Sequence, residues 1–169
     1  MIVLVLGGTR SGKSAIAEKI VSGFGNDVSY LATAEHDRSD ADFVSRVDAH
    51  RARRPAEWRT VECGSDLVGA LRSASGPVLI DSVGAWVAAH HDFDIDTESL
   101  CSTLTSRVEP TVLVSEEVAM GVHAATELGR LFTDTLGRLN QNLAHIADRA
   151  LLVVAGRVLE LPQEFEFKE

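Results

Sequence analysis

Two cysteines in 169 residues, Cys63 and Cys101, are too few for a disulfide framework, and neither stands in a Cys-x-x-Cys or metal-ligand spacing. A reducing compartment, the cytoplasm, is the expected location. No apolar run approaches the roughly 20 residues that a membrane helix needs. The opening "MIVLVLGG" has no basic leader, and its apolar segment is too short for a secretory signal, so neither export nor membrane insertion is expected. Repeats, low-complexity tracts and Pro- or Gly-rich linkers are also missing. With 45% hydrophobic and 24% charged residues, the chain reads as one domain, 1–169, with a real core. Positive charge is scarce: 16 Lys+Arg stand against 25 Asp+Glu, a net charge of -9. Such a molecule repels nucleic acid and anionic membranes, and an anionic ligand has to be held by a local basic site. Arginine makes up most of the basic residues, and it is the better bidentate phosphate ligand.

Short β-branched runs alternate with longer amphipathic ones. Strands are expected at Ile2–Leu6, Val28–Ala32, Val78–Ile80, Thr111–Val114 and Ala150–Ala155. Helices are expected at Lys13–Val21, from Ser39 to about Arg53, at Leu67–Ser73 and over Glu127–Ala147; Ser39 with Asp42 resembles a capping box. Ala85–Ser99 has no clear period. Short, doubly apolar strands alternating with helices predict an α/β fold whose parallel sheet is covered on both faces.

"GGTRSGKS", Gly7 to Ser14, follows the first strand and opens the first helix. It completes the P-loop pattern Gly-x-x-x-x-Gly-Lys-Ser. Glycines allow a tight turn whose N–H groups point at phosphate oxygens, and the helix N-terminus adds partial positive charge. The loop residues Gly7, Gly8, Thr9, Arg10, Ser11, Gly12, Lys13 and Ser14 are therefore the candidate nucleotide cradle. Lys13 would face the β and γ phosphates, and the Ser14 hydroxyl would ligate Mg²⁺. A Gly/Ser-rich turn with an incidental lysine is the bland alternative, and strand, spacing and helix all count against it.

A P-loop needs a further carboxylate near its metal. "PVLIDSV" places Asp81 directly after an apolar run; capping of the next helix is the competing, compatible role. Glu116 and Glu117, in "LVSEEV", rival it. The stretch "RVDAHRARRPAEWR" puts five arginines and His50 into an acidic chain. On a helix Arg46, His50 and Arg53 share a face able to neutralise a triphosphate. A solvated basic surface, with His50 partly buried beside Phe43 and Val47, is the alternative. Phosphoryl transfer needs positioning and charge, whereas a neutral imidazole can attack an α phosphorus and form a covalent histidyl intermediate.

Elsewhere, His90-His91-Asp92 reads as surface loop before metal site. Trp58 and Trp86 read as core or rim before stacking platforms. Leu128, Leu131, Phe132, Leu136, Leu139 and Leu143 share one helix face, most simply core, alternatively an oligomer seam.

The chain resembles the bifunctional adenosylcobinamide kinase / adenosylcobinamide-phosphate guanylyltransferase family of cobalamin biosynthesis. The resemblance runs nearly end to end through "GGTRSGKS", "YLATAE", "HRARRPAEWRTVE", "EEVAMGV" and "GRLNQNLAHIADRALLVVAG". It implies a three-layer, RecA-like P-loop NTPase fold with a mainly parallel sheet, assembled as a homo-oligomer, a trimer being one candidate size. It implies two reactions. A nucleoside triphosphate, ATP or GTP, phosphorylates the hydroxyl of the aminopropanol arm of adenosylcobinamide. GTP then guanylylates a histidine, and the substrate phosphate takes the GMP to give adenosylcobinamide-GDP. The family's guanylylated histidine falls on His50. Its nucleotide contacts fall on Gly7–Ser14, on Ala32, Thr33 and Ala34, on Arg51, Ala52, Arg53 and Arg54, and on Glu62 and Asp81, Asp81 standing where the family often has Glu.

The chain departs from the family pattern in places. Glu116–Ala124 replaces Asn-Glu-Val-Gly-x-Gly-Ile-Val-Pro, and Arg130-Leu131-Phe132-Thr133-Asp134 lacks one arginine of Arg-x-Phe-Arg-Asp. Gly156-Arg157-Val158-Leu159 stands for Gly-Ile-Pro-Leu, and the stretch from Asp81 to Thr111 is short.

The expected protein is a cytoplasmic, Mg²⁺-dependent enzyme. His50 and Lys13 would be catalytic, Ser14 and Asp81 would hold the metal, and Arg51, Arg53 and Arg54 would hold the phosphates. A small-molecule kinase without a covalent step and a GTP-binding regulatory protein are the alternatives. An Asn-Lys-x-Asp run of the kind small GTPases use to read guanine is not seen.

Overall fold

The computed structural model describes residues 1–34, 55–118, 120–122 and 124–163. The helix expected from Ser39 to about Arg53, with His50, lies outside the described residues, as do Arg51, Ala52, Arg53 and Arg54. The strands are β1 (Ile2–Gly7), β2 (Ser29–Ala32), β3 (Arg59–Glu62), β4 (Val78–Asp81), β5 (Thr111–Glu116), β6 (Arg149–Val154) and β7 (Arg157–Leu161). The helices among the described residues are α1 (Lys13–Ser22), α2 (Leu67–Ser73), α3 (Val83–Ala88), α4 (Thr97–Ser106) and α5 (Glu127–Ile146), with a 3₁₀ turn at His91–Phe93.

One sheet joins all seven strands in the order β3-β2-β4-β5-β1-β6-β7. Six strands are parallel, and β7 returns antiparallel to β6. Apolar runs with no polar alternation suit strands buried on both faces, and the two cores show how β1 is shared. Leu4 and Leu6 pack with Leu67, Trp86, Leu100 and Leu136 from α2, α3, α4 and α5. Val3 and Val5 pack on the other face with Ala17 and Val21 of α1. This is the mainly parallel, layered P-loop architecture expected from the sequence.

Helix starts follow their side-chain oxygens. Asp66, Ser82, Asp96 and Thr126 accept from the N–H of Gly69, Ala85, Ser99 and Gly129. Ser82 thus caps α3, which leaves the Asp81 carboxylate to other partners.

Some boundaries move. β4 runs on to Asp81 and β5 to Glu116, so both carboxylates stand on strand ends. β6 stops at Val154, because Ala155 and Gly156 turn with φ of 50° and 75°. The unassigned Ala85–Ser99 stretch holds most of α3, the 3₁₀ turn and the start of α4. The apolar face of α5 is core only in its second half. Leu136, Leu139 and Leu143 are buried, Phe132 is partly so, and Leu128 and Leu131 are 59% and 43% exposed. Trp58 and Trp86 are both buried, and Trp86 Nε1 donates to the Ser65 carbonyl at 2.9 Å.

Candidate active site

The site lies along the carboxyl ends of the parallel strands, where open α/β sheets bind their ligands. In register, Glu62, Ala32 and Asp81 end β3, β2 and β4, while Glu116 pairs with Gly7 at the ends of β5 and β1. The P-loop hangs from Gly7. Ser11 N–H donates to the Gly8 carbonyl at 3.2 Å and Ile16 N–H to Gly12 at 3.1 Å, closing the loop onto α1. Gly12 has φ 95° and ψ 6°, a left-handed conformation that favours glycine. The Gly156 N–H donates to the Ser11 carbonyl at 2.8 Å, so the β6–β7 turn buttresses the loop. Gly8, Thr9 and Arg10 are exposed, as an anion-receiving turn has to be.

Lys13 is largely covered, with 11% of its side chain exposed. Its ammonium donates to the Gly8 carbonyl at 3.3 Å and lies 3.8 Å from Glu116 Oε1. The Glu116 Oε2 atom accepts from the Gly84 N–H at 3.1 Å. Ser14 Oγ stands 3.4 Å from Asp81 Oδ1, and the Tyr30 hydroxyl donates to Asp81 Oδ2 at 2.7 Å. Between the two rival carboxylates, Asp81 faces the serine and Glu116 faces the lysine. Two oxygen donors at adjoining element ends suit a hard cation such as Mg²⁺.

Thr33 is buried and docks on the same corner: its N–H donates to the Asp81 carbonyl at 3.4 Å and its hydroxyl to the Ser82 carbonyl at 2.5 Å. Ala32 and Ala34 flank it, half-buried. Glu62 ends the edge strand β3, exposed. Next to it the Cys63 thiol donates to the Ala32 carbonyl at 3.4 Å. Burial pushes its pKa up to about 11, with the nearby Asp66 charge adding to the rise against a backbone hydrogen bond. It is a protonated, unreactive thiol at neutral pH.

Three supporting residues are not among the expected site residues. Tyr30 sits inside "YLATAE" and orients Asp81. Gly84 lends its N–H to Glu116. Asn140, buried on α5, accepts from Ser115 Oγ at 2.6 Å and donates to the Glu116 carbonyl at 3.0 Å. It stands in the Asn-Gln-x-Leu-Ala run, the one cue that pointed there. Away from the site, His90 Nδ1 bonds the Trp86 carbonyl at 2.8 Å, and His91 pairs with Asp92 in the open. Among the described residues no group of three or more His, Cys, Asp or Glu is placed to hold a metal ion.

The family described as cobinamide kinase / cobinamide phosphate guanyltransferase matches residues 3–161, which spans the whole sheet except Ile2 at the start of β1. The chain belongs to that family. Curated relatives agree along nearly their whole length. The bifunctional adenosylcobalamin biosynthesis protein CobP of Pseudomonas aeruginosa is 37% identical over 95% of this chain and 97% of its own. The corresponding CobU proteins of Salmonella typhimurium and Escherichia coli are 34% and 33% identical, each over 92% of this chain and 97% of theirs. Membership makes the chain an enzyme of the kinase and guanylyltransferase type. Among the described residues no helix is long and apolar enough to cross a membrane.

Proposed function

We propose that this chain carries both activities that name its family. It phosphorylates adenosylcobinamide, and it then transfers GMP from GTP to adenosylcobinamide phosphate, giving adenosylcobinamide-GDP. The observation that carries the proposal is the convergence of Asp81 from β4 and Glu116 from β5 on Ser14 and Lys13, which open α1 at the end of the P-loop.

In the kinase step the loop N–H groups and the helix start hold the phosphates, and Lys13 neutralises charge at the γ end. Ser14 and Asp81 would hold Mg²⁺, which would supply further neutralisation of the phosphate oxygens. In the guanylyl step His50 attacks the α phosphorus of GTP, the bond to the β-phosphate oxygen breaks, and pyrophosphate leaves. A phosphate oxygen of adenosylcobinamide phosphate then attacks the same phosphorus and releases the imidazole. Arg51, Arg53 and Arg54 hold the phosphates during this step, and Ala32, Thr33, Ala34, Ala52 and Glu62 complete the nucleotide contacts. The placement of Ala32 and Thr33 against Asp81 supports that assignment.

We also assign the chain to the cytoplasm, where its two free thiols are stable, and to a homo-oligomer. The exposed Leu128 and Leu131 of α5 and Val158 and Leu159 of β7 are the surfaces that support self-association.

Incubation with α-labelled GTP and Mg²⁺ tests the covalent step. An acid-labile label, absent from His50→Ala, is expected. An unlabelled wild type that still moves γ-phosphate to adenosylcobinamide would leave a kinase without the histidyl intermediate.

A further inference from the structure

We propose that Glu116 is the catalytic base of the phosphoryl-transfer step. In that step the acceptor hydroxyl gives its proton to Glu116 Oε1 while its oxygen bonds to the γ phosphorus. The bond from that phosphorus to the β-phosphate oxygen breaks, and its electron pair leaves with the nucleoside diphosphate. The assignment rests on the kinase half of the function proposed above.

Placement comes first. Two carboxylates end strands β4 and β5, and their partners divide them. Asp81 is taken up by Ser14 and Tyr30, the cation side of a P-loop. Glu116 instead lies 3.8 Å from the Lys13 ammonium, the group that addresses the β and γ phosphates. Of the two carboxylates it is the one on the lysine side of the loop.

It is also held. Gly84 N–H fixes Oε2 at 3.1 Å, leaving Oε1 on the lysine side. Its own carbonyl is tied to Asn140 Nδ2, and the next residue's N–H donates to the Gly7 carbonyl at 3.1 Å. A carboxylate whose following peptide is pinned through both its C=O and its N–H is pre-organised in the way a proton acceptor has to be.

Charge gives the third reason. A carboxylate beside the phosphate-binding lysine repels a polyanion and weakens nucleotide binding. Exchange of that carboxylate for a neutral amide therefore leaves nucleotide binding intact or stronger, which separates a proton-accepting role from a loop-building one. A cleft of about 420 Å³ lies nearby, lined by Val118, two residues beyond Glu116, and by Thr133, Asp134 and Arg138 of α5.

Glu116→Gln, which keeps shape and removes the basic oxygen, is the test. Four readouts are needed: unfolding midpoint, nucleotide affinity, adenosylcobinamide phosphorylation, and guanylyl transfer to pre-made adenosylcobinamide phosphate. The variant should fold as the wild type, bind nucleoside triphosphate as tightly or more tightly, and keep guanylyl transfer within about threefold. Its kinase kcat should fall by about 100-fold or more, with the acceptor KM little changed. A kinase kcat within about threefold of wild type overturns the proposal. So does loss of nucleotide binding, or an equal fall in both transfers, since Glu116 would then build the loop. If the glutamine variant does not fold, Glu116→Asp decides. A carboxylate withdrawn by one methylene should bind nucleotide normally and lose about tenfold or more in kinase kcat, and full activity overturns the base role. A wild type that does not phosphorylate adenosylcobinamide refutes the proposed function itself, and the base assignment falls with it.

Discussion

Ser14 at the start of α1 and Asp81 at the end of β4 face each other with side-chain oxygens 3.4 Å apart, across 67 residues of sequence. Neither contact partner is chosen by local structure. The sheet order brings them together, because β5 alone lies between β4 and β1, the strand that feeds the P-loop. Tyr30, from β2 on the far side of β4, fixes the second oxygen of Asp81 at 2.7 Å.

Asp81→Asn keeps the Tyr30 acceptor and removes the charge. The Mg²⁺ concentration for half-maximal kinase rate should rise by about 10- to 100-fold, as for the loss of an outer partner or ligand of a metal site. Nucleotide affinity in EDTA should not fall. A Mg²⁺ titration of the initial rate, beside calorimetry without metal, checks both halves.

Gly12→Ala places a Cβ on a backbone at φ 95°, 3.4 Å from Gly156 Cα. A non-glycine residue held there costs about 1–3 kcal/mol. Urea unfolding should report that loss of stability. The loop N–H groups and the Gly156 buttress move with the strain, so nucleotide affinity should fall as well, and a variant with wild-type affinity and stability would contradict the geometry.

Much of this corner was legible because chemistry and local structure coincide there. The P-loop carries its strand, its glycines and its helix start in consecutive residues, and Asp81 follows an apolar run directly. The choice between Asp81 and Glu116 was not legible, since both end apolar strands, and the tertiary arrangement of β4, β5 and α1 decides which meets Ser14. Other features escaped for separate reasons, the four-residue edge strand β3 among them. β7 is an edge strand whose residues are nearly all exposed, so its side chains show no alternation. α3 is six residues, mostly buried, and a helix covered on several sides has no polar face to reveal its period. In α5 a continuous apolar face suggested core throughout, yet the first half projects beyond the packed layer and leaves Leu128 and Leu131 exposed.

Asn140→Ala removes two hydrogen bonds from a site only 7% exposed, leaving Ser115 Oγ and the Glu116 carbonyl unpaired. Stranded buried polar groups cost about 1–3 kcal/mol, so the unfolding free energy should drop by about that much. Asn140 reaches Glu116 through that residue's backbone carbonyl. Kinase kcat should therefore fall less than in Glu116→Gln, with acceptor KM rising as the carboxylate loses its fixed position. Steady-state kinetics on both variants separates these outcomes.

Cys63 offers a pH-dependent readout of the β2–β3 corner. Burial raises its folded pKa from 9.0 to about 11, so the folded state holds the thiol proton more tightly than the unfolded chain. The stabilising effect is complete below pH 9.0 and is lost as pH climbs toward 11, so the unfolding midpoint should decline across that window. Cys63→Ser should flatten part of that decline, because a hydroxyl does not titrate there. Reactivity should follow the same shift. At pH 8 the thiolate fraction of Cys63 is about 100-fold below that of an unperturbed cysteine, and alkylation follows the thiolate. Iodoacetamide should therefore label Cys63 at least that much faster in urea than in the native protein, as read by peptide mass spectrometry. Native labelling at the unfolded rate would mean that the thiol is not packed against Ala32, and that the corner holding Thr33 against Asp81 is open.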